Sequence, residues 1–310
     1  MQITRYLAPA VLKWLNTRMV FIEGPRQVGK TFLGKAFIKD SRSYLSWDDL
    51  GDREIIRSHR IGQLSSPLLL DEIHKYSRWR SLMKGVFDKK SDDLKIIVTG
   101  SARLDHFGKG GDSLFGRYHY LRLHPFSLPE LMSAGQPATL DELLEFGGFP
   151  EPFLQKDPSF LKIWRRERVA RVITQDLRDL TNLKDYSDLE ILADILPSKV
   201  GSLLSYNKIG EDLEKSPHTI KNWIQILGSV YHCYTIAPYG PPRVKALKKQ
   251  QKLYLWDWSV VPNEGAKFEN LVASQLLEYC HYVEDTQGDA MELRFLKDEF
   301  GRERACPSLS

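Results

Sequence analysis

"FIEGPRQVGKTFL", residues 21–33, sets two glycines, a lysine and a threonine in a fixed order. From Gly24 to Thr31 it reads G-x-x-x-x-G-K-T. Glycines at both ends let the segment Gly24, Pro25, Arg26, Gln27, Val28, Gly29 wrap tightly, so that its N–H groups point inward. Such a concavity suits the oxygens of a polyphosphate. Lys30 adds a point charge for the outer phosphates, and the Thr31 hydroxyl is placed to ligate Mg²⁺. A following helix would add its positive N-terminal end. Arg26 either touches phosphate or faces solvent. The alternative is a chance match in a turn, and the surroundings speak against it. "MVFIE" (19–23) is an apolar run that reads as a buried strand, and the pattern turns helical from Gly29 to Ile38.

Working outward, "PLLLDEIHK" (67–75) is an apolar strand running straight into two acids. Asp71 at the tip can hold the magnesium through water, and Glu72 can serve as general base or orient the attacking water. "LKIIVTGSA" (94–102) is a strand with hydroxyls at its end. Thr99 or Ser101 could meet the γ-phosphate or the water there, although Ser101 would equally suit a helix N-cap. Arg117, in "SLFGRYHY", could stabilise charge on the transferred phosphoryl group, in cis or from a neighbouring subunit. Its plain alternative is a surface arginine paired with an acid. "SYLSWDD" (43–49) and "YHYLRLHPFS" (118–127) read as further strands, and residues 77–90 as a helix. Apolar strands alternating with helices predict an α/β fold with a parallel sheet covered on both faces.

The 310 residues are 42% hydrophobic and 27% charged, enough for more than one core. The longest apolar runs fall well short of the ~18 residues of a membrane span. The N-terminal stretch is broken by Pro9, Lys13 and Asn16 and makes a poor secretory signal. Three scattered cysteines point to a reduced, cytoplasmic protein rather than a disulfide framework. The eight histidines lack metal-ligand spacing. The net charge of +4 is unevenly spread: +5 over 1–150, +4 over 151–262 and −5 over 263–310.

"FGGFPEPFLQKDPSF" carries two glycines and three prolines and suggests a boundary near residue 150. Residues 164–239 read as mostly helical, with a helix–turn–helix rhythm over 201–239. Ser216 then Pro217 marks a helix start; Ile220, Trp223 and Leu227 face inward. His218, Lys221, Asn222 and Gln225 stay outside, and the last three are types that read base edges in a major groove. A spacer for the preceding domain is the other use of such a helix. "PPRVKALKKQQK" (241–252) has five basic residues and no acids; it could contact phosphate backbones or simply be a solvated loop. "KLYLWD" (252–257), "GAKFENLVASQLLEYC" and "MELRFLK" read as strand, long helix and strand.

Taken together, "GPRQVGKT", "LLLDEIHK", "VTGSARL", "GDSLFGRY", "LHPFSLPEL", "FGGFPEPFL" and "GAKFENLVASQLL" resemble a family of bacterial and archaeal AAA-like ATPases. The resemblance covers nearly the whole chain. It implies a P-loop NTPase core, a winged-helix middle and a C-terminal nuclease-like domain, placed here at 1–150, 151–240 and 241–310. It implies ATP and Mg²⁺ as ligands, with Lys30, Thr31, Asp71 and Glu72 in the roles given above; Arg117 matches the family's "GR" position. The loop grips phosphates and not the base, so GTP stays open, as do DNA or a protein client as partner and an oligomeric state. Phe32 stands where the family more often has a second threonine. In the family, "ELRFLKDEFGRE" would continue into an acidic-plus-lysine core. Here "RERACPSLS" follows, and Glu269 matches only the first acid of such a site. One carboxylate cannot hold the metals of a nuclease. The expectation is a shortened tail that leaves Leu293 and Phe295 on an unpaired strand edge.

Overall fold

The chain is described by a computed structural model. It describes residues 3–58, 61, 64–89, 93–100, 114, 116–135, 137–172, 177, 186–240, 249–297 and 303–309. The chain divides into two compact units, Met1–His124 and Pro125–Ser310.

The first unit is built on a sheet of five strands: β1 (Met19–Glu23), β2 (Tyr44–Ser46), β3 (Leu68–Asp71), β4 (Ile96–Gly100) and β5 (Tyr118–Arg122). Their order is β2-β3-β4-β1-β5, and every pairing is parallel. All residues of β1, β3 and β4 are buried, which is why these strands read as unbroken apolar runs rather than alternations. Met19, Phe21, Leu68, Leu70, Ile96 and Val98 face one core, shared with Trp79, Leu82 and Met83. The intervening residues Val20, Ile22, Leu69 and Ile97 are buried on the opposite face. Each such side chain contributes roughly 1.5–3 kcal/mol by leaving water. The helices of this unit are α1 (Ala8–Leu15), α2 (Lys30–Lys35), α3 (Leu50–Arg57) and α4 (Trp79–Lys89). Gly34 lets α2 lie close on β3, since a Cβ there would sit 2.7 Å from a Leu69 methyl.

The second unit opens with α5 (Leu128–Ser133), α6 (Leu140–Phe146), α7 (Pro150–Gln155) and α8 (Pro158–Arg171). The glycine pair before Pro150 serves packing here. A Cβ on Gly148 would come 2.5 Å from the Trp258 ring and 2.7 Å from Phe126 O. Then follow α9 (Tyr186–Ile195), α10 (Tyr206–Asp212), α11 (Pro217–Ser229), β6 (Cys233–Pro238) and β7 (Lys252–Leu255). After α12 (Glu264–Gln287) come β8 (Met291–Lys297) and β9 (Glu303–Leu309). These four strands form a sheet in the order β7-β6-β8-β9, with only β6 and β8 parallel. Cys233–Pro238 therefore departs from the helical reading of 164–239: a tyrosine, a threonine and an isoleucine in a row beside a partner strand favour extended backbone.

The tail also departs from expectation. β8 is no open edge, because β6 pairs on one side and β9 on the other, with Leu293 opposite Pro307 and Phe295 opposite Ala305. Leu293 and Phe295 are buried. The backbone groups of β8 need partners, and residues 303–309 supply them.

Candidate nucleotide site

Parallel strands bring their C-terminal ends to one side of the sheet, and the polar residues of the first unit gather there. The loop after β1 has Gly24 at φ 151°, Gln27 at φ 64° and Gly29 at φ 96°. Gly24 lies so close to the chain after β5 that a Cβ would meet Leu123 O at 2.3 Å. Lys30 begins α2, is 6% exposed, and turns its ammonium into the loop, where Nζ donates to Gly24 O at 3.0 Å and Pro25 O at 2.7 Å.

Next to it, three hydroxyls converge on one carboxylate. Thr31 Oγ1 donates to Asp71 Oδ2 at 3.0 Å, Tyr44 OH donates to the same oxygen at 3.1 Å, and Thr99 Oγ1 donates to Asp71 Oδ1. Register explains the meeting: Ser46, Asp71 and Thr99 are successive partners across β2, β3 and β4, and Thr99 also pairs with Ile22 of β1. β4 lies between the loop strand and the acid strand. Burial first, and the Asp71 charge next, push the Tyr44 phenol up to about 12, so it stays a donor. A hydroxyl beside a carboxylate, oxygen ligands only, is a donor set that fits Mg²⁺.

Glu72 follows Asp71 in the left-handed region, at φ 55°. Holding a non-glycine residue there costs of order 1–3 kcal/mol and is met at functional sites. Burial pushes its carboxyl up, while Lys30, Lys75 and Arg26 pull it back down.

Arg117 stands elsewhere. It precedes β5, and its carbonyl accepts from Met19 N at 3.0 Å, at the N-terminal end of the strands. A five-residue strand separates it from the phosphate loop by roughly 16 Å. Its side chain pairs with Asp88 near the end of α4, Nε to Oδ1 at 2.7 Å. Ser101 lies outside the described residues.

Three contributors went unread in the sequence. Tyr44 is one, because the sequence does not show which strands become neighbours. Lys75 is another; its Nζ lies 3.6 Å from Glu72 Oε2. The third is Arg5, which is buried and donates to Val28 O and His124 O, each at 2.6 Å, tying the loop to the chain after β5.

Residues 16–132 match the family described as AAA domain. The first unit is thus similar to an AAA-like P-loop core. In this core the loop, the acid strand and the strand between them are the parts just described. Residues 137–264 match a family described as a domain of unknown function. An uncharacterized protein of Haemophilus influenzae is 24% identical over 254 residues, which is 74% of this chain and 62% of that protein. One from Methanocaldococcus jannaschii is 23% identical over 304 residues, 86% of this chain and 68% of that protein. The chain thus spans about three fifths to two thirds of these curated relatives. The solved structure of the Aeropyrum pernix Orc1 protein in complex with DNA is a looser likeness. It has a TM-score of 0.36 and 11% identity, covering 90% of this chain and 95% of that one. At that score it carries no argument about ligands.

In the second unit, α11 has Ser216 as N-cap, accepting from Thr219 N at 3.1 Å, and buries Ile220, Trp223 and Leu227. His218, Lys221, Asn222 and Gln225 are exposed. Residues 241–248 of the basic stretch lie outside the described residues; Lys252 at its end is buried and donates to Glu269 Oε1 at 2.9 Å. Tyr254 OH donates to the same oxygen at 2.7 Å. Among the described residues no helix is long and apolar enough to cross a membrane.

Proposed function

We propose that this protein is an Mg²⁺-dependent ATPase that uses hydrolysis as a switch or motor. The observation that carries it is the convergence of Thr31, Tyr44 and Thr99 on Asp71, beside the enclosed Lys30 and directly before Glu72. Loop N–H groups and Lys30 would hold the β- and γ-phosphates. Thr31 and Asp71 would hold the magnesium, which when bound neutralises charge on the phosphate oxygens. Glu72 would orient a water and accept its proton as the water oxygen bonds to the γ-phosphorus and the bond to the β–γ bridging oxygen breaks. Thr99, which donates to Asp71 from the strand between, would contact the γ-phosphate or the water. Arg117, at the opposite end of the strands, would serve only a neighbouring subunit's site.

The test is steady-state turnover of ATP by the parent and by Glu72→Gln. A loss of about 100-fold, typical of removing a general base, with Mg²⁺-ATP binding retained, supports the assignment. Equal rates remove Glu72 from it.

A second reading concerns the second unit. A helix pair, α10 and α11, precedes the antiparallel pair β6–β7, an order that supports a winged helix, and α11 presents Lys221, Asn222 and Gln225 to solvent. We propose duplex DNA or a protein client as the partner of this face, with ATP as a slow conformational signal. A gel shift across a salt series decides between them. Affinity for duplex that falls with salt indicates phosphate contact, and no retardation at low salt leaves the protein client. Among the described residues of this unit, Glu269 accepts from Lys252 and Tyr254.

A further inference from the structure

Glu72 leads into a 3-10 turn over Ile73–Lys75. With three residues per turn, positions i and i+3 stand over one another, and Lys75 N donates to Glu72 O at 3.1 Å. The ammonium of Lys75 thereby returns over the Glu72 carboxylate, 3.6 Å from Oε2, with the two side chains 19% and 16% exposed. On its other side, Lys75 Nζ donates to both Asp48 oxygens, each at 2.8 Å. Asp48 is itself held from β2. Its neighbour Trp47 donates its N–H to Asp71 O at 3.0 Å and stacks its ring on Tyr76 at 4.8 Å.

We propose that Lys75, anchored by Asp48, is a positioning residue that fixes where the Glu72 carboxylate stands relative to the phosphate loop. The inference rests on the ATPase reading. Asp48 is 53% exposed, so a Lys75–Asp48 pair alone would be an ordinary surface bridge of small worth. The geometry differs from such a bridge in one respect. The same ammonium also faces a sheltered carboxylate on the residue after the magnesium ligand. An ammonium has three donors on a rotatable stem, so it can lean toward Glu72 without leaving Asp48. Other groups near Glu72 are His74, whose Nε2 is 3.6 Å from Oε2, with Lys30, Arg26 and Asp71. Lys30 and Arg26 belong to the phosphate loop and its helix and would be drawn to phosphate. Lys75 stays with the acid strand.

The experiment is a double-mutant cycle of Lys75→Met and Glu72→Gln, with Lys75→Arg as the conservative variant. It is read by ATP turnover, by Mg²⁺-ATP affinity in calorimetry, and by melting temperature of the ligand-free protein. The expected result is a kcat on the order of tenfold lower for Lys75→Met, within the usual range of coupling between contacting residues. KM and Mg²⁺-ATP affinity should be unchanged, Lys75→Arg should restore much of the rate, and Lys75→Met should have no effect in the Glu72→Gln background. The melting temperatures should likewise be non-additive. A kcat unchanged by Lys75→Met, or lowered equally in both backgrounds, overturns the proposal. If the parent itself turns over no ATP, the ATPase reading fails; additive melting temperatures would then overturn the Lys75–Glu72 coupling as well.

Discussion

The two ends of the five-stranded sheet are made of similar residue types and do different things. At the C-terminal end, Lys30, Thr31, Tyr44, Asp71 and Thr99 lie within hydrogen-bond reach of loop or partner, sheltered from water. At the N-terminal end, Arg117 and Asp88 form a half-exposed pair, and Trp14 stacks on His119 with ring centroids 3.9 Å apart. The difference lies in direction, not composition. Parallel strands send every C-terminal tip, and every following loop, to the same side. Polar residues placed just after an apolar run are therefore collected into one site, whereas those placed just before a run are left at the far edge. A residue's rank as a candidate depends on which end of its strand it occupies.

The sharpest way to break this contrast is at Lys30. Replacing it with alanine removes a buried ammonium from the loop, and hydrogen bonds to charged groups are worth roughly 1.5–3 kcal/mol each. Mg²⁺-ATP affinity should fall by about 100-fold or more in calorimetry, and a binding curve like the parent's would sink the site. Gly24→Ala comes next. Its Cβ would meet Leu123 O at 2.3 Å, a backbone atom that cannot step aside. The loop must shift, at about 1–3 kcal/mol, so the variant should bind more weakly and unfold at lower denaturant concentration.

Much of the C-terminal end was legible in the sequence, because its residues sit inside local signals. Gly24 to Thr31 is one continuous loop, and Asp71, Glu72 and Thr99 each end an apolar run. The sheet, the long helix α12 and the cap at Ser216 were readable for the same reason: periodicity and capping are local. What the sequence concealed was set by neighbours distant in the chain. Tyr44 reaches Asp71 only because β2 lies beside β3, and Arg5 reaches Val28 across 23 positions. The pairing of 303–309 with β8 was hidden likewise, since a polar tail with a proline carries no strand pattern of its own. Arg117 was a plausible finger from its motif alone; only the strand direction shows which side it faces.

His124, just past β5, tests how dry the C-terminal end is. Burial first, then the nearby Arg122 and Arg5 charges, hold its imidazole well below the ordinary 6.5. A histidine depressed in the folded state is protonated first in the unfolded chain. Its effect on stability is therefore absent above about pH 6.5 and grows as the pH falls below that value. Between pH 7 and pH 5 the parent should lose more stability than His124→Gln. Denaturant unfolding at the two pH values measures this. Equal losses in both proteins would mean that water reaches the ring.

Arg117 gives the smallest expected effect, and for that reason the cleanest check on strand direction. Within one chain the guanidinium is at the wrong end of β5 to reach a phosphate held after β1. Arg117→Ala should leave Mg²⁺-ATP affinity within about twofold of the parent, since removing a residue that touches no ligand changes no binding free energy. Its melting temperature should stay close as well, because the pair with Asp88 is solvent-screened. Turnover can still respond if a second copy presents its arginine to the site. That possibility has its own signature: the parent's turnover per chain would rise with protein concentration. Mixing Arg117→Ala chains, which keep an intact loop, with Lys30→Ala chains, which keep the arginine, would then restore activity that neither has alone. A large loss of affinity in dilute Arg117→Ala would instead contradict the parallel register itself, because no arrangement with Met19 opposite Tyr118 brings that side chain to the loop of its own chain.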